Sequence, residues 1–534
     1  MTVRTLFIGL DGATFTVFND LTKPGADGSP PVMPFLATVF QRGSRAKLRS
    51  TPNPLTPPAW VSMMTGRGPG HHGVYDFIRA EERGDDVFFT LSDSRDCRVE
   101  TIWSIASRQG RKVAALNFPF TAPPPQDLNG VMVPGFVPWR HLRRNSYPAD
   151  LYDRLKTIPE FDAKELAWDF EQEKQSGNEL SDQDREQWVS YHLPRERQWF
   201  KVAEFLMKEE APDLMAVLFD GVDKLQHQAW PYVDPAMQTG DTSGFHQRMR
   251  ELSLGYFRQL DGFIQQLVEA AGPEAQVFFC SDHGFTASTE VVRINAYLEQ
   301  KGYVHFRELP PGDAGQRRDN SYFAYLDWHK TVAYCRTPSC NGITIRVARQ
   351  PGETGIAPAD YEKVREQLIR DLEDLKDPDT GDRIIAEIHK REDVFPGEAM
   401  NEAPDLLLVL RDFGFVSVKN VHPVVQKRNY PIGTHHPDGV FFAMGPGIEQ
   451  GKLLGRRHIT DVAATLLYSL GLPVPSDFEG AVPSAMFTAE FQDTQPVVVG
   501  APTLGGSSEV RTDSMSEDEK RKIMEQLQML GYME

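Results

Sequence analysis

Four short, uninterrupted apolar runs punctuate the chain, and each ends in a turn rich in Gly, Asp or His. Residues 5–10 precede Asp11-Gly12, and residues 213–219 precede Asp220-Gly221. Residues 275–280 precede Ser281-Asp282-His283-Gly284, and residues 439–444 precede Gly445-Pro446-Gly447. Continuous apolarity over so few positions predicts strands buried on both faces, as in a parallel sheet. Between the runs, residues 195–208 and 250–270 carry apolar side chains at helical spacing. Residues 461–471 form a helix pattern with an acidic start and a glycine stop. Alternating strands and helices predict an α/β fold whose functional groups gather at the carboxyl ends of the strands.

Two regions break this rhythm. Residues 121–195 are Pro-rich around Pro123–Pro125 and then charged and aromatic, with Trp139, Trp168 and Trp188. Residues 301–400 mix short strand patterns with a charged helix over 358–376. Both read as insertions on a core, serving either as lids or as surface decoration. The expected division is core 1–120, lid insertion 121–195, core 196–300, second insertion 301–400, core 401–490, and a linker with a C-terminal helix over 491–534. Ser516 would cap that helix. Its apolar side (Met524, Leu527, Leu530, Tyr532) is expected to pack on the core or on the second subunit of a homodimer. The aromatic residues Trp139, Trp168, Trp188 and Trp230 are either substrate-stacking groups or small local cores.

Composition narrows the function. The 534 residues carry 57 Lys plus Arg against 75 Asp plus Glu, a net charge of −18. That balance disfavours binding of nucleic-acid polymers or anionic membranes, which needs clustered positive charge. Four cysteines, none in a CxxC pair, read as free thiols of a reducing compartment, with Cys335 and Cys340 the one pair spaced to bridge. No run approaches the roughly 18 apolar residues of a membrane span. The apolar run before Asp11 is shorter than the roughly 7–15 residues of a secretory signal. The expected location is the cytoplasm, with the chain mature from Met1.

The turns after the buried runs hold the chemistry. Asp11 follows the first. Asp223 and His227 follow the second and share a face if that segment is helical. Asp282 and His283 follow the third, and His435-His436 precede the fourth run. Carboxylate and imidazole at one sheet edge suit Zn²⁺ or Mn²⁺, whereas Ca²⁺ and Mg²⁺ prefer oxygen alone. Thr56 precedes Pro57-Pro58, which hold it out of an ordinary helix interior. A helix over 59–65 would leave amide groups near Thr56, where an anion could sit. Thr56 is then either a helix cap or a reactive hydroxyl.

These motifs, in this order, resemble the alkaline phosphatase superfamily and within it the type I phosphodiesterase/nucleotide pyrophosphatase group with its bacterial phosphohydrolase and phosphomutase relatives. The matching segments are Asp11-Gly12, Thr56 through Thr65-Gly66 and His72-Gly73, Asp223 with His227, Ser281–Gly284, and Gly433-Thr434-His435. The resemblance implies a three-layer α/β/α sandwich with inserted lids, an enzyme acting on phosphoric ester bonds, and two divalent metal ions, Zn²⁺ or Mn²⁺. One site would take Asp11, Thr56, Asp282 and His283. The other would take Asp223, His227 and His435, the last preferred to His436, and Asp223 preferred to Asp220, by motif position. Thr56 would be the nucleophile of a phosphodiesterase working through a phospho-threonine on a small-molecule ester. A bound dication makes such a hydroxyl reactive, and two ions clamp the attacking and leaving oxygens. A phosphomutase or phosphonate hydrolase would use the same ligands, and a non-catalytic metal-stabilised protein would keep the fold alone. Ala59 stands where the nucleotide pyrophosphatases carry an Asn. Arg67, Arg79, Arg140 and Lys224 are candidate phosphate contacts by proximity only. No cysteine has the sulfatase context.

Overall fold

The computed structural model describes residues 3–25, 27–83, 86–166, 181–237, 244–307, 323, 326–337 and 339–506. The predicted apolar runs form the middle of the central sheet. In chain order its main strands are β1 (Thr5–Leu10), β2 (Ser44–Arg49), β3 (Val113–Leu116), β4 (Gly130–Val133), β5 (Leu214–Phe219), β6 (Gln276–Cys280) and β7 (Asp438–Met444). They lie in the order β2-β7-β6-β1-β5-β3-β4. Lys452–Leu453 and Arg457–His458 also pair with β2, making nine strands among the described residues. Strands β6, β1, β5, β3 and β4 are mutually parallel. β7 runs antiparallel to both neighbours, β6 and β2. The sheet is therefore largely parallel, and its one reversed strand bears on the site. Reversal places the start of β7, and His435 just before it, at the carboxyl edge of the parallel strands.

Side chains of β1 alternate between two cores, as strand geometry requires. Leu6, Ile8 and Leu10 face one apolar cluster, which is roofed by helices α2 (Asp182–Glu210) and α4 (Gly244–Ala271). Phe7 faces the other, which holds α1 (Thr56–Thr65) and α5 (Asp461–Ser469). Two apolar faces covered by helices make a three-layer α/β/α sandwich. Helix α3 (Gly221–Val233) follows β5 and is buried along its whole length.

The insertions are built differently from a simple core-plus-lid division. Residues 121–195 supply β4, an edge strand of the central sheet, and α2 runs uninterrupted across residue 195. Trp188 and Trp230 are core residues, 4% and 1% exposed, whereas Trp139 is 37% exposed. The second insertion carries its own four-stranded sheet, Ala333–Cys335, Gly342–Ile345, Leu406–Leu410 and Ile385–Lys390, with a separate apolar cluster, and the strand Leu406–Leu410 takes it past the expected boundary at 400. The four cysteines are buried and free, so Cys335 and Cys340 are not bridged. Trp168 and the terminal segment with Ser516, Met524, Leu527, Leu530 and Tyr532 lie outside the described residues. Among those residues, no helix is long and apolar enough to cross a membrane.

Candidate metal centre

Each predicted carboxylate sits where a strand ends. Asp11 leaves β1 and Asp282 leaves β6, and Asp223 stands in the first turn of α3 just beyond β5. The i,i+4 spacing within α3 puts His227 on the face of Asp223, with His227 Nε2 3.5 Å from Asp223 Oδ1. Strand Gly284–Arg293 continues from His283 and pairs antiparallel with Val425–His436, in a register that sets His435 opposite Phe285. The imidazoles of His283 and His435 therefore stack, with centroids 3.5 Å apart.

Six side chains converge in this way. His283 Nε2 lies 3.2 Å from Asp282, 3.7 Å from Asp11 and 3.9 Å from Asp223. His435 Nε2 lies 3.2 Å from Asp223 and 3.3 Å from His227 Nε2. The ligand atoms of Asp11, Asp282 and His283, and those of Asp223, His283 and His435, form two groups, each within 4.8 Å. His283 is common to both groups.

Backbone carbonyls behind the rings fix which nitrogen faces inward. His227 Nδ1 meets the Gly433 carbonyl at 3.1 Å, His283 Nδ1 meets that of Gly284 at 3.1 Å, and His435 Nδ1 meets that of Pro54 at 2.6 Å. A carbonyl only accepts, so each Nδ1 carries the proton and each Nε2 presents a lone pair to the centre. Two lone pairs facing each other at 3.3 Å, beside three carboxylates, form an arrangement that a cation would stabilise. Asp11 Oδ1, Asp223 Oδ1, Asp282 Oδ2 and His283 Nε2 are moreover buried without a hydrogen-bond partner, a costly state for polar atoms that a metal ion would relieve. The donor set, imidazole with carboxylate, fits Zn²⁺ or Mn²⁺.

The same crowding perturbs the titrations. Burial, then the carboxylates of Asp282, Asp223 and Asp220, push the Asp11 carboxyl well above its usual range. Burial, followed by the neighbouring His283, lowers His435 to about 3.

Thr56 is the first residue of α1 and is 2% exposed. Its helix is tied to both ligand groups. Trp60, one turn on, donates its indole N–H to Asp11 Oδ2 at 3.1 Å, and Pro54, two residues earlier, accepts from His435. The expected run of free amides beside Thr56 is absent. The helix begins at Thr56 instead of residue 59, Pro57 and Pro58 have no N–H, and the Ala59 N–H bonds to the Leu55 carbonyl at 3.1 Å. Of the first-turn positions, only Thr56 itself keeps an amide to offer.

Asp220, the alternative to Asp223, points away from this role. It accepts from Arg195 at 3.0 Å and Lys224 at 2.7 Å, all three buried. Lys224 is thus committed to a carboxylate, as are Arg67 to Asp477 and Arg79 to Asp96, while Arg140 lies over the Trp139 ring. His436 accepts the Asp438 amide at its own turn. Trp60 and Arg195 escaped the sequence reading. Trp60 was findable as the residue one helical turn after Thr56, whereas Arg195 gave no local signal.

A sequence model of the type I phosphodiesterase / nucleotide pyrophosphatase family matches residues 5–438. The chain belongs to that family, within the alkaline phosphatase superfamily. Its members are hydrolases of phosphoric ester bonds, and the chain is an enzyme of that class. Among solved structures it is similar to murine ectonucleotide pyrophosphatase / phosphodiesterase 5, at 14% identity and a TM-score of 0.51, covering 91% of this chain and 100% of that one. It is similar to the human counterpart at 14% identity and a TM-score of 0.50, over 92% and 100%. Phosphonoacetate hydrolase from Sinorhizobium meliloti 1021 follows at 14% identity and a TM-score of 0.49, over 88% and 95%. At these identities the structural likeness concerns the fold. No curated protein matches the chain by sequence.

Proposed function

We propose that this family member is a two-metal phosphodiesterase whose nucleophile is the Thr56 hydroxyl. The observation that carries this reading is the convergence of three proton-free Nε2 atoms with three buried carboxylates at one strand edge. Asp11, Asp282 and His283 would hold one ion beside Thr56, and Asp223, His227 and His435 would hold the other. Zn²⁺ or Mn²⁺ bound there would lower the pKa of the hydroxyl and neutralise the phosphoryl oxygens. The chain's own residues do the rest. Trp60 and Pro54 brace α1 against the ligands and so orient Thr56. The hydroxyl oxygen attacks phosphorus as it gives up its proton, one ester oxygen takes up a proton and departs as the alcohol, and water later releases the remaining phosphate monoester from Thr56. Phe285, packed edge-on or tilted against His227, His283 and His435, limits water at the imidazoles. Four buried, unbridged thiols support a reducing cytoplasm as its location.

The test pairs a bis-nitrophenyl phosphodiester with the nitrophenyl monoester, on protein loaded with Zn²⁺ or Mn²⁺, for the native chain and Thr56→Ala. Diester turnover should exceed monoester turnover and fall at least about 1,000-fold in the variant, the scale expected when a nucleophile is removed. Undiminished turnover in Thr56→Ala would remove the proposed nucleophile and with it the covalent step.

A further inference from the structure

An open cavity of about 1350 Å³ lies between the hairpin of Ile78–Arg83 with Asp86–Leu91, the loop through Asp76, and the sheet of the second insertion. None of the seven proposed metal-centre residues lines it. Its wall carries many ionic groups, and most of the pairing is complete. Glu82 accepts from Tyr334 at 2.7 Å and from Arg346 at 3.1 Å, using both oxygens. Arg346 also donates to the carbonyls of Trp328 and Thr331 and to Thr354. Asp76 accepts from Thr337 and Ser339, each at 2.5 Å.

Besides the exposed Arg349, Arg336 is the exception among the described residues. It stands between these two saturated carboxylates, one residue before Thr337, and its nearest acidic atom is Glu82 Oε1 at 3.6 Å, beyond hydrogen-bond reach. Its Nε is buried without a partner, and its side chain is 36% exposed, so its outer nitrogens are reachable. Arg336 and Arg346 share the one Glu82 carboxylate, and Arg346 takes its hydrogen bond. A guanidinium that faces a cavity with its donor fork unspent is matched by a planar or tetrahedral oxyanion that accepts two parallel N–H bonds.

We propose that this cavity is a second anion-binding site, with Arg336 as the receptor for a phosphate or carboxylate group. The site does not depend on the metal reading. It is coupled to the Thr56 segment by one short path, because Ser339, which holds Asp76, also accepts from Asn53 at 3.4 Å. The anion is therefore either a second charged group of the substrate or a separate small oxyanion.

Calorimetric titration of the full-length protein with inorganic pyrophosphate tests this, in metal-loaded and chelator-stripped forms. Stripped of metal, the centre presents three carboxylates and repels anions, so binding to that form reports the cavity. The stripped native chain should bind one pyrophosphate, and Arg336→Gln should bind at least tenfold more weakly. Arg336→Lys, which keeps the charge and loses the fork, should fall between. Arg336 makes no side-chain hydrogen bond among the described residues, so these variants should fold as the native chain does, which circular dichroism checks. The two sources separate in the loaded form. If the anion belongs to the substrate, Arg336→Gln raises KM for a diester carrying a carboxylate and leaves bis-nitrophenyl phosphate unaffected. If it is a separate oxyanion, both KM values stay unchanged while pyrophosphate binding is lost. Equal binding by the stripped native chain and Arg336→Gln, or no binding by the stripped native chain, would overturn the proposal.

Discussion

Trp60→Phe separates the packing role of a buried indole from its role at the centre. Trp60 is fully buried on α1, its ring lies edge-on to Phe118 at 5.4 Å, and it closes over Gly9, where an added Cβ would come within 2.8 Å of the indole. Phenylalanine keeps most of that contact but loses the N–H donated to Asp11 Oδ2. Two costs follow. The smaller ring leaves a void, about 1–2 kcal/mol of stability, with or without metal. A hydrogen bond to a charged acceptor contributes about 1.5–3 kcal/mol. If it orients Asp11 for an ion, its loss appears as a roughly 10–100-fold weaker metal affinity, the usual range for such supporting contacts. Competition against a metallochromic chelator measures the affinity, and thermal melts of the stripped protein measure the packing cost. A lowered melting temperature with metal affinity changed less than twofold would make Trp60 a core residue only, and would refute the orienting role assigned to it.

Two further outcomes are expected. Burial raises Glu196 from 4.5 to about 8. Its Oε1 accepts from Gly221 N and Tyr256 Oη, which leaves the unpartnered Oε2 for the proton. A folded-state value above the unfolded one means stability that is full below about 4.5 and lost as pH rises through about 8. Glu196→Gln should flatten that loss, so melting curves between pH 5 and 9 (roughly the window this linkage defines) that run parallel for both chains would contradict it. Gly12 has φ +65° and faces the Phe285 ring and Asp223 Oδ1 at 2.8 and 3.1 Å from a built Cβ. Gly12→Ala should cost about 1–2 kcal/mol from backbone strain alone, and should weaken metal binding by displacing Asp223. An unchanged melt and affinity would show that the turn relaxes.

The residues that proved readable from sequence share one property: their position follows from their own segment. Asp11 and Asp282 end apolar runs, and such runs make buried parallel strands whose ends define one edge. Asp223 and His227 needed only helical spacing. The reversed direction of β7 was hidden, because an apolar run carries no sense of orientation. The α1 start was misplaced because Pro57 and Pro58 look like a break, yet the first helical turn tolerates proline where an amide has no intrahelical acceptor. Arg195 on Asp220, the Pro54 carbonyl on His435 and the unspent donors of Arg336 depend on segments far apart in sequence. No local pattern encodes those approaches.

The position of β7 bears on how the chain is made. β2 ends at Arg49, yet its sheet neighbours are β7 and the short strands at Lys452–Leu453 and Arg457–His458. At about 5–20 residues per second, a ribosome needs roughly 20–80 s between these partners. Throughout that interval the nascent chain carries β2 without a sheet partner, and once residues 276–280 are made it also carries β6 with one open edge, the kind of surface that recruits other chains. A chain stopped short of residue 438 would keep both edges for life, so premature termination late in this protein would produce aggregates, not a shortened enzyme.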